Sequence, residues 1–180
     1  LTNSYTPELT SVTVKKVWDD ADDQDGKRPE TLTVTLSDGT EVELNEGNGW
    51  TATVENLPKY ADGAAIAYTW TEGEMPEGYS LTGNTTAGTV TTLTNSYTPE
   101  VTEATIIKVW EDAEDQDGIR PDSLTVTLLA DGETVQTVTL NDGNSWTATV
   151  DNLPKNAAGA EITYSWSEDE TVLPEGYSLT

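Results

Sequence analysis

The sequence predicts an all-β protein built from two tandem β-sandwiches, and three observations predict it. The 180-residue chain repeats itself once along its length. Thr and Val dominate short stretches in which apolar and polar residues alternate, as half-buried strands require. Turn residues separate these stretches, and no segment has a helical period. Seven short strands per unit are typical of two packed sheets.

The internal repeat sets the predicted domain organisation. Three segments return in the same order: Leu1–Glu8 as Leu93–Glu100, Trp18–Gly26 as Trp110–Gly118, and Trp50–Val54 as Trp146–Val150. A unit of this size is an independent domain rather than a solenoid repeat. We assign residues 1–8 to the closing strand and linker of a preceding repeat and 9–98 to a first sandwich. Residues 99–180 form a second sandwich that lacks its last strand.

Within the first unit, strand candidates and turns alternate. The candidates are residues 12–18, 31–36, 41–44, 50–54, 65–72, 79–82 and 89–97. The segments between them carry Gly, Asn, Asp and Pro, which is turn chemistry: Ser37–Gly39, Asn45–Gly49, Ala61–Gly63 and Pro76–Gly78. The second unit follows the same order, with a longer hairpin around Ala130–Gly132.

Three of these strands place a polar residue on an otherwise apolar face. By the two-residue period, the inward polar residues are Lys16 between Val14 and Trp18, Glu72 after Tyr68 and Trp70, and Asn95 between Leu93 and Tyr97. The second unit repeats the first two as Lys108 and Glu168. Buried polar groups are costly unless they satisfy one another. We therefore expect the lysine, the glutamate and the asparagine to meet.

Such a meeting has two chemical interpretations. Burial disfavours the charged form of a lysine, and a neutral amine is a nucleophile. A carboxyl group can polarise the asparagine carbonyl and shuttle protons, so that amine attack expels ammonia and leaves an amide between two side chains. That reaction occurs once per molecule and is self-processing, not enzymatic turnover. The alternative is a buried salt bridge beside a hydrogen-bonded amide.

A set of motifs runs in order around these residues: Lys16–Asp20, Asp25–Pro29, Leu57–Tyr60, Tyr68–Glu72, Pro76–Tyr79 and Thr94–Tyr97. The set resembles the collagen-adhesin B-type (CnaB-like) domain of Gram-positive surface proteins and pilins, in two tandem copies. The resemblance implies a β-sandwich of reversed immunoglobulin-like (CnaB-like) topology. In many members it also implies an intramolecular Lys–Asn isopeptide bond assisted by an acid. By motif, the lysine maps to Lys16 and Lys108, the proton-shuttling acid to Glu72 and Glu168, and the asparagine to Asn95.

The resemblance also implies a function and a location. It implies a structural stalk or spacer repeat of an extracellular adhesin or pilus-like protein, anchored to the cell wall through a region outside this chain. Its partners would be adjacent repeats, with a host extracellular-matrix ligand bound at a distal region. The alternative is that these units are themselves a binding module for a host protein or glycan, which an exposed apolar or aromatic patch would favour.

The second unit lacks a counterpart of Asn95. We hypothesise that Leu1–Tyr5 of a neighbouring molecule completes this unit by head-to-tail strand addition, which would place Asn3 near Lys108.

Composition excludes several other functions. The net charge of −25 argues against nucleic acid and against anionic membrane surfaces. The chain has no Cys and no His, so disulfides, Cys/His metal sites and histidine-based catalytic triads are excluded, and we predict neither a metal nor a cofactor. A calcium site in the Asp-rich loops is disfavoured because Ala21 and Ala113 occupy the first ligand position. The six Trp share strand faces with apolar residues, so we predict that they are core residues and do not form a platform for sugar stacking.

Overall fold

A computed structural model describes residues 1–179 of the chain, which divides into two compact units, residues 1–98 and the remainder from Pro99. Strands and turns build both units, and the only helical pieces among the described residues are short 3-10 turns: Glu46–Asn48, Asp142–Asn144 and Glu170–Val172. The all-β prediction is therefore confirmed. Among these residues no helix has the length and apolar character needed to cross a membrane.

The first unit contains nine strands: β1 Leu9–Asp19, β2 Thr31–Leu36, β3 Glu41–Asn45, β4 Thr51–Pro58, β5 Tyr60–Ala61, β6 Ala64–Ala65, β7 Trp70–Glu72, β8 Ser80–Ala87 and β9 Val90–Ser96. The two larger sheets have the orders β4-β1-β9-β8 and β3-β2-β7, and β5 pairs with β6 in a small two-stranded sheet. Strand β1 pairs antiparallel with β4 and parallel with β9. The first and last strands of the unit are thus neighbours that run in the same direction.

The two larger sheets of the first unit contribute to a single core, which confirms the sandwich. The buried residues of this core are Val12, Val14, Leu32, Val34, Leu36, Leu44, Leu57, Trp70 and Leu93. Trp18 and Trp50 pack against it while half-buried. Because the second unit likewise packs Trp110, Trp146 and Trp166 in its core, the prediction that the tryptophans are core residues is confirmed.

The described part of the second unit, which ends at residue 179, contains seven strands: β10 Val101–Ile107, β11 Ser123–Ala130, β12 Glu133–Asn141, β13 Thr147–Pro154, β14 Asn156–Ala157, β15 Ala160–Glu161 and β16 Tyr164–Glu168. Strand β10 pairs with β13, and a second sheet has the order β12-β11-β16. Its core is centred on Leu124, Val126, Leu140 and Trp146.

Two strand predictions need correction. The single strand predicted over 65–72 is instead a two-residue strand at Ala64–Ala65 and a separate strand at Trp70–Glu72, because only the latter pairs with β2. The strand predicted over 79–82 continues to Ala87, because the ladder with β9 shifts its register between Leu81 and Gly83 and then resumes. This bulge absorbs the glycine that reads as a strand end in the sequence.

Candidate functional site: a buried lysine, glutamate and asparagine

Strand β1 carries Lys16 into the interior of the first unit, where the residue is only 3% exposed. Its Nζ lies 3.5 Å from Oε1 of Glu72 and donates a hydrogen bond to the carbonyl oxygen of Val17 at 3.0 Å. The same Nζ lies 4.0 Å from the centre of the Trp18 ring. The amine is therefore held by a carboxylate, a carbonyl and an aromatic face in a site that is largely shielded from water.

The backbone fixes where this lysine can point. The Lys16 N–H donates to the carbonyl oxygen of Trp50 at 2.8 Å, and Trp50 has a φ of 56°, a left-handed conformation that is unusual for a bulky residue. On the other side of β1, the parallel ladder pairs Lys16 with Leu93 and Trp18 with Asn95. Because Lys16 and Asn95 are both buried and lie diagonally across this ladder, a long side chain can bridge them.

Asn95 is the least satisfied polar residue of the site. It is 0% exposed, and neither its Oδ1 nor its Nδ2 has a hydrogen-bond partner. Oε1 of Glu72 also lacks a hydrogen-bond partner. An unpaired buried amide typically costs about 1–3 kcal/mol, so native interiors rarely retain one without a reason.

Burial lowers the pKa of Lys16 below its ordinary value, and the desolvation of the ammonium form is the largest cause. The nearby carboxylate of Glu72, together with the charge of Asp20, acts in the opposite direction but does not cancel the effect. The site therefore favours the neutral, nucleophilic amine more than solvent does.

The second unit holds the equivalent lysine differently. Nζ of Lys108 contacts both carboxylate oxygens of Glu168, at 2.8 and 3.0 Å, and the Lys108 N–H donates to the carbonyl oxygen of Trp146 at 2.8 Å. The structure thus brings the predicted lysine and acid together in both units. Asn3, the predicted partner of Lys108, lies in the exposed segment Leu1–Tyr5, which forms no strand.

A second polar cluster was not predicted from the sequence. The buried carboxylate of Asp20 accepts hydrogen bonds from Arg28 Nε at 3.0 Å and Nη2 at 2.6 Å, from the Tyr79 hydroxyl at 2.7 Å and from the Asp23 N–H at 3.1 Å. Burial raises the pKa of Asp20, but these hydrogen bonds outweigh it and lower the pKa overall. The cluster ties the Asp-rich loop to the segment that precedes β8.

The same cluster recurs in the second unit, where Asp112 binds Arg120 and Tyr177. A signal for it was present in the sequence: the chain has only two arginines, and both occupy this position of the repeat. Among the described residues, no group of three or more acids is arranged to hold a metal ion.

An aromatic cover closes the lysine site of the first unit. The Trp18 ring packs edge-on against Trp50 and against Tyr79, with centroid distances of 5.1 and 5.3 Å, and Tyr79 packs against Tyr97 at 5.1 Å. Because Tyr79 also binds Asp20, the polar cluster and the lysine site share one wall. This wall keeps water from the amine and the amide, which suits a reaction between them.

Comparisons with known proteins show which family the sequence and the fold resemble. The sequence model of the family described as "Cna protein B-type domain" matches residues 12–96 and 104–180. A collagen adhesin of Staphylococcus aureus is 42% identical over 183 residues, which cover 99% of this chain and 15% of that protein. A crystal structure of two B repeat units of the collagen binding protein of Staphylococcus aureus matches with a TM-score of 0.84 and 40% identity, over 92% of this chain and 46% of that one.

Proposed function

Because this chain belongs to the Cna protein B-type domain family, we propose that it is a stalk or spacer of a Gram-positive surface adhesin or pilus-like protein, with its first unit locked by an isopeptide bond between Lys16 and Asn95. The observation that carries the proposal is the buried trio of Lys16, Glu72 and Asn95, in which the asparagine amide has no hydrogen-bond partner. The bond would remove that unsatisfied amide nitrogen from the core.

The reaction uses only side chains of the first unit. Glu72 takes a proton from the Lys16 ammonium, which leaves a neutral amine and a protonated carboxyl group. The amine attacks Cγ of Asn95 while the carboxyl group hydrogen-bonds the carbonyl oxygen. The Cγ–Nδ2 bond then breaks as Glu72 returns its proton to the departing nitrogen. The surplus proton of the attacking amine passes through the Glu72 carboxylate to the same nitrogen, which leaves as ammonium. The fold supplies the proximity, and Glu72 ends unchanged.

The bond has a mechanical consequence. A pulling force that enters at Leu9 would run along β1 to Lys16, cross the amide to Asn95 and leave beyond Ser96. Residues 17–94 lie outside this path, so the sheets between them would not be unzipped. The family consists of adhesin repeats rather than enzymes, and a cross-link of this kind suits a part that transmits force.

The wider role concerns protein beyond these residues. The chain spans 15% of the length of the curated relative, which is named a collagen adhesin. We propose that this chain lies outside the cell, that it is joined to the cell wall through another region, and that it holds a distal region away from the surface to contact host extracellular matrix. Adjacent repeats of the same protein are its immediate partners.

The alternative function, a binding module for host protein or glycan, receives less support. All six Trp side chains lie in the described part of the chain, and each is buried or half-buried. They offer no open aromatic platform on which a sugar could stack. The stalk proposal therefore remains the one that the geometry favours.

The intact mass of the chain tests the bond. We expect the wild-type chain to be lighter than its sequence mass by one ammonia, with Lys16 joined to Asn95 in peptide maps. Three variants should prevent the bond, so each should show the full mass of its own sequence: Lys16→Arg, Glu72→Gln and Asn95→Ala. Lys108→Arg is the matched control in the second unit and should leave the Lys16–Asn95 peptide intact.

A folded wild-type chain that shows the full sequence mass would refute the bond and leave the trio as a buried salt bridge beside an amide. The stalk role is tested separately by the length that the first unit releases when the chain is stretched.

A further inference from the structure

The hairpin of β8 and β9 carries no charge, although the molecule is strongly acidic. The chain has 33 Asp and Glu residues against 8 Lys and Arg residues, yet none of them occurs among the 22 residues of 78–99. The next longest stretch without a charged residue, 63–71, has nine residues. One neutral surface segment is therefore set into a protein whose net charge is −25.

Strand β8 is also the outer strand of its sheet. The order β4-β1-β9-β8 gives it a partner on one side only, so its other side presents backbone N–H and C=O groups that pair with no strand of residues 1–179. Proteins commonly protect such edges with charged side chains. The outer strands β3, β4 and β12 follow this rule, since they carry Glu41 and Glu43, Glu55, and Glu133 respectively. Strand β8 does not.

The side of β8 that faces the core is open as well. Its ladder with β9 pairs Asn84 with Leu93 and Thr86 with Thr91, and paired residues point to the same face of a sheet. Leu93 and Thr91 are 1% and 5% exposed, whereas Asn84 and Thr86 are exposed. The core therefore does not extend under β8. Every residue of this strand except Gly83 is exposed.

The regular part of this edge has the right composition for strand addition. After the bulge between Leu81 and Gly83, residues 83–87 pair in unbroken register with β9. These five residues are Gly, Asn, Thr, Thr and Ala, which are small and uncharged. Small side chains let a further strand approach to the usual spacing, and Thr–Thr pairs across strands are favourable.

We propose that β8 is the docking edge for β8 of a second copy of this chain, with the two strands antiparallel. The charge identifies the occupant: two copies repel one another where their acidic surfaces meet, and two β8 edges can meet without opposing carboxylates. An antiparallel pair of identical strands obeys a two-fold axis, so the contact closes as a dimer. It joins two four-stranded sheets into one sheet of eight strands.

The pairing also sets the direction of the two copies. Strands β1 and β9 run parallel, and the chain enters the first unit at Leu9 of β1 and leaves it after Ser96 of β9. Antiparallel pairing of β8 therefore makes the two first units run in opposite directions. Combined with the proposed stalk role, on which this step alone rests, the paired copies project from two facing surfaces and not from the same one.

Sedimentation of the 180-residue chain at rising concentration tests the pairing. We expect a monomer–dimer equilibrium without larger species. An edge of eight residues buries less area than a standard interface, so the dimer should be weak and concentrations up to about 1 mM are needed. Added salt should strengthen the dimer, because it screens the repulsion between two copies of net charge −25.

A charged edge should abolish the contact. Asn84→Glu combined with Thr85→Glu gives β8 the carboxylates that other outer strands carry, and should raise the dimer dissociation constant more than about tenfold. Gln136→Glu combined with Thr137→Glu is the matched control, because it adds the same charge to exposed positions of the outer strand β12. This control should dimerise as the wild type does.

Introduced cysteines locate the two-fold axis, since the chain has no Cys of its own. A single cysteine is placed in turn at residues 82, 84, 85, 86 and 87. Under mild oxidation, disulfide-linked dimers should form best at one position and fall off on either side of it, because only residues near the axis meet their own copies.

Beads that carry the chain by its C-terminus test the facing arrangement. Wild-type beads should clump, and beads with the Asn84→Glu/Thr85→Glu variant should stay dispersed. Dimers in solution without clumping would overturn the facing arrangement and leave the pairing in place. A wild-type chain that stays monomeric at high concentration and high salt would overturn the pairing itself. Dimers that persist in the Asn84→Glu/Thr85→Glu variant, or disulfides that form equally at all five positions, would do the same.

Discussion

The Tyr97 ring packs directly on Gly78, which has a φ of +94° and leaves no room for a Cβ, whereas Gly176 at the equivalent position has a φ of +102° and open space around it. The two glycines share a backbone conformation that disfavours other residues, but only one of them is also a packing surface. A matched pair of substitutions can separate these two roles.

We predict that Gly78→Ala destabilises the first unit more than Gly176→Ala destabilises the second. Both variants incur the strain of a positive φ, on the order of 1–2 kcal/mol. Gly78→Ala must also displace the Tyr97 ring, which adds roughly 1–3 kcal/mol, the usual cost of overpacking. Hydrogen exchange followed peptide by peptide measures the stability of each unit separately within one chain. Equal losses in the two units would show that the ring contact contributes nothing.

Removal of Arg28 should weaken the first unit in a pH-dependent way. Arg28→Ala leaves the Asp20 carboxylate buried with only the Tyr79 and Asp23 hydrogen bonds, so we expect a loss of about 1–3 kcal/mol at pH 7. The pKa of Asp20 is lower in the folded state than its ordinary value of about 3.9. The stability that this pair contributes is therefore present above pH of about 4 and is lost as the pH falls further.

Denaturant unfolding of the wild type and Arg28→Ala at pH values between 7 and 2.5 measures this effect. The difference between them should shrink at acidic pH, and Arg28→Lys should rescue little because a lysine cannot form the two-pronged contact. A difference that stays constant down to the lowest pH would contradict the role assigned to the Asp20 carboxylate.

When the cross-link is prevented, Lys16 should make the stability of the first unit depend on pH in the alkaline range. In Asn95→Ala, Lys16 keeps an amine whose pKa in the folded state is lowered by burial. Between that lowered value and the ordinary value of about 10.4, the unfolded chain binds more protons, so stability rises with pH. The reference is Lys16→Met/Asn95→Ala, which lacks the titrating group and shares every other charge.

Thermal melting at pH 7 to 10.5 compares these two variants. As the pH rises, we expect the melting temperature of Asn95→Ala to increase relative to that of the double variant. Parallel curves would mean that Lys16 is not desolvated in the uncross-linked fold.

Single-molecule stretching tests the force path. The wild-type first unit should release almost no length, whereas Asn95→Ala should release residues 17–94 as well, an extra extension on the order of 250 Å at full stretch. The second unit serves as an internal standard that unfolds in both chains. If the wild type and Asn95→Ala release the same length, the force does not pass through an amide at this position.

The sequence was a good guide where one face of a strand is buried. The two-residue period correctly placed Val14, Lys16, Leu93 and Asn95 inside, because a register error would have exposed the whole apolar set. It was a poor guide to where strands end. Ile66–Thr69 alternate as a strand does, but they lie outside any strand because their neighbours in space, not their own pattern, determine pairing.

The features of the site also fall into those that the sequence predicts and those that it does not. The inward direction of Lys16, Glu72 and Asn95 followed from local periodicity and from the family resemblance. The cluster of Asp20, Arg28 and Tyr79 did not, because its members come from loops and meet only through the tertiary fold. The tight contact of Tyr97 with Gly78 belongs to the same class.

The parallel pairing of β1 with β9 also sets an order of events. These strands lie at opposite ends of the unit, so their ladder closes the longest loop and is expected to form late in folding. Lys16 can meet Asn95 only after that ladder exists, so a misfolded or half-synthesised unit remains unlinked. The amide would then form only in completely folded units. Because the bond does not reopen, a unit that has formed it would be protected kinetically as well as by a marginal folding equilibrium.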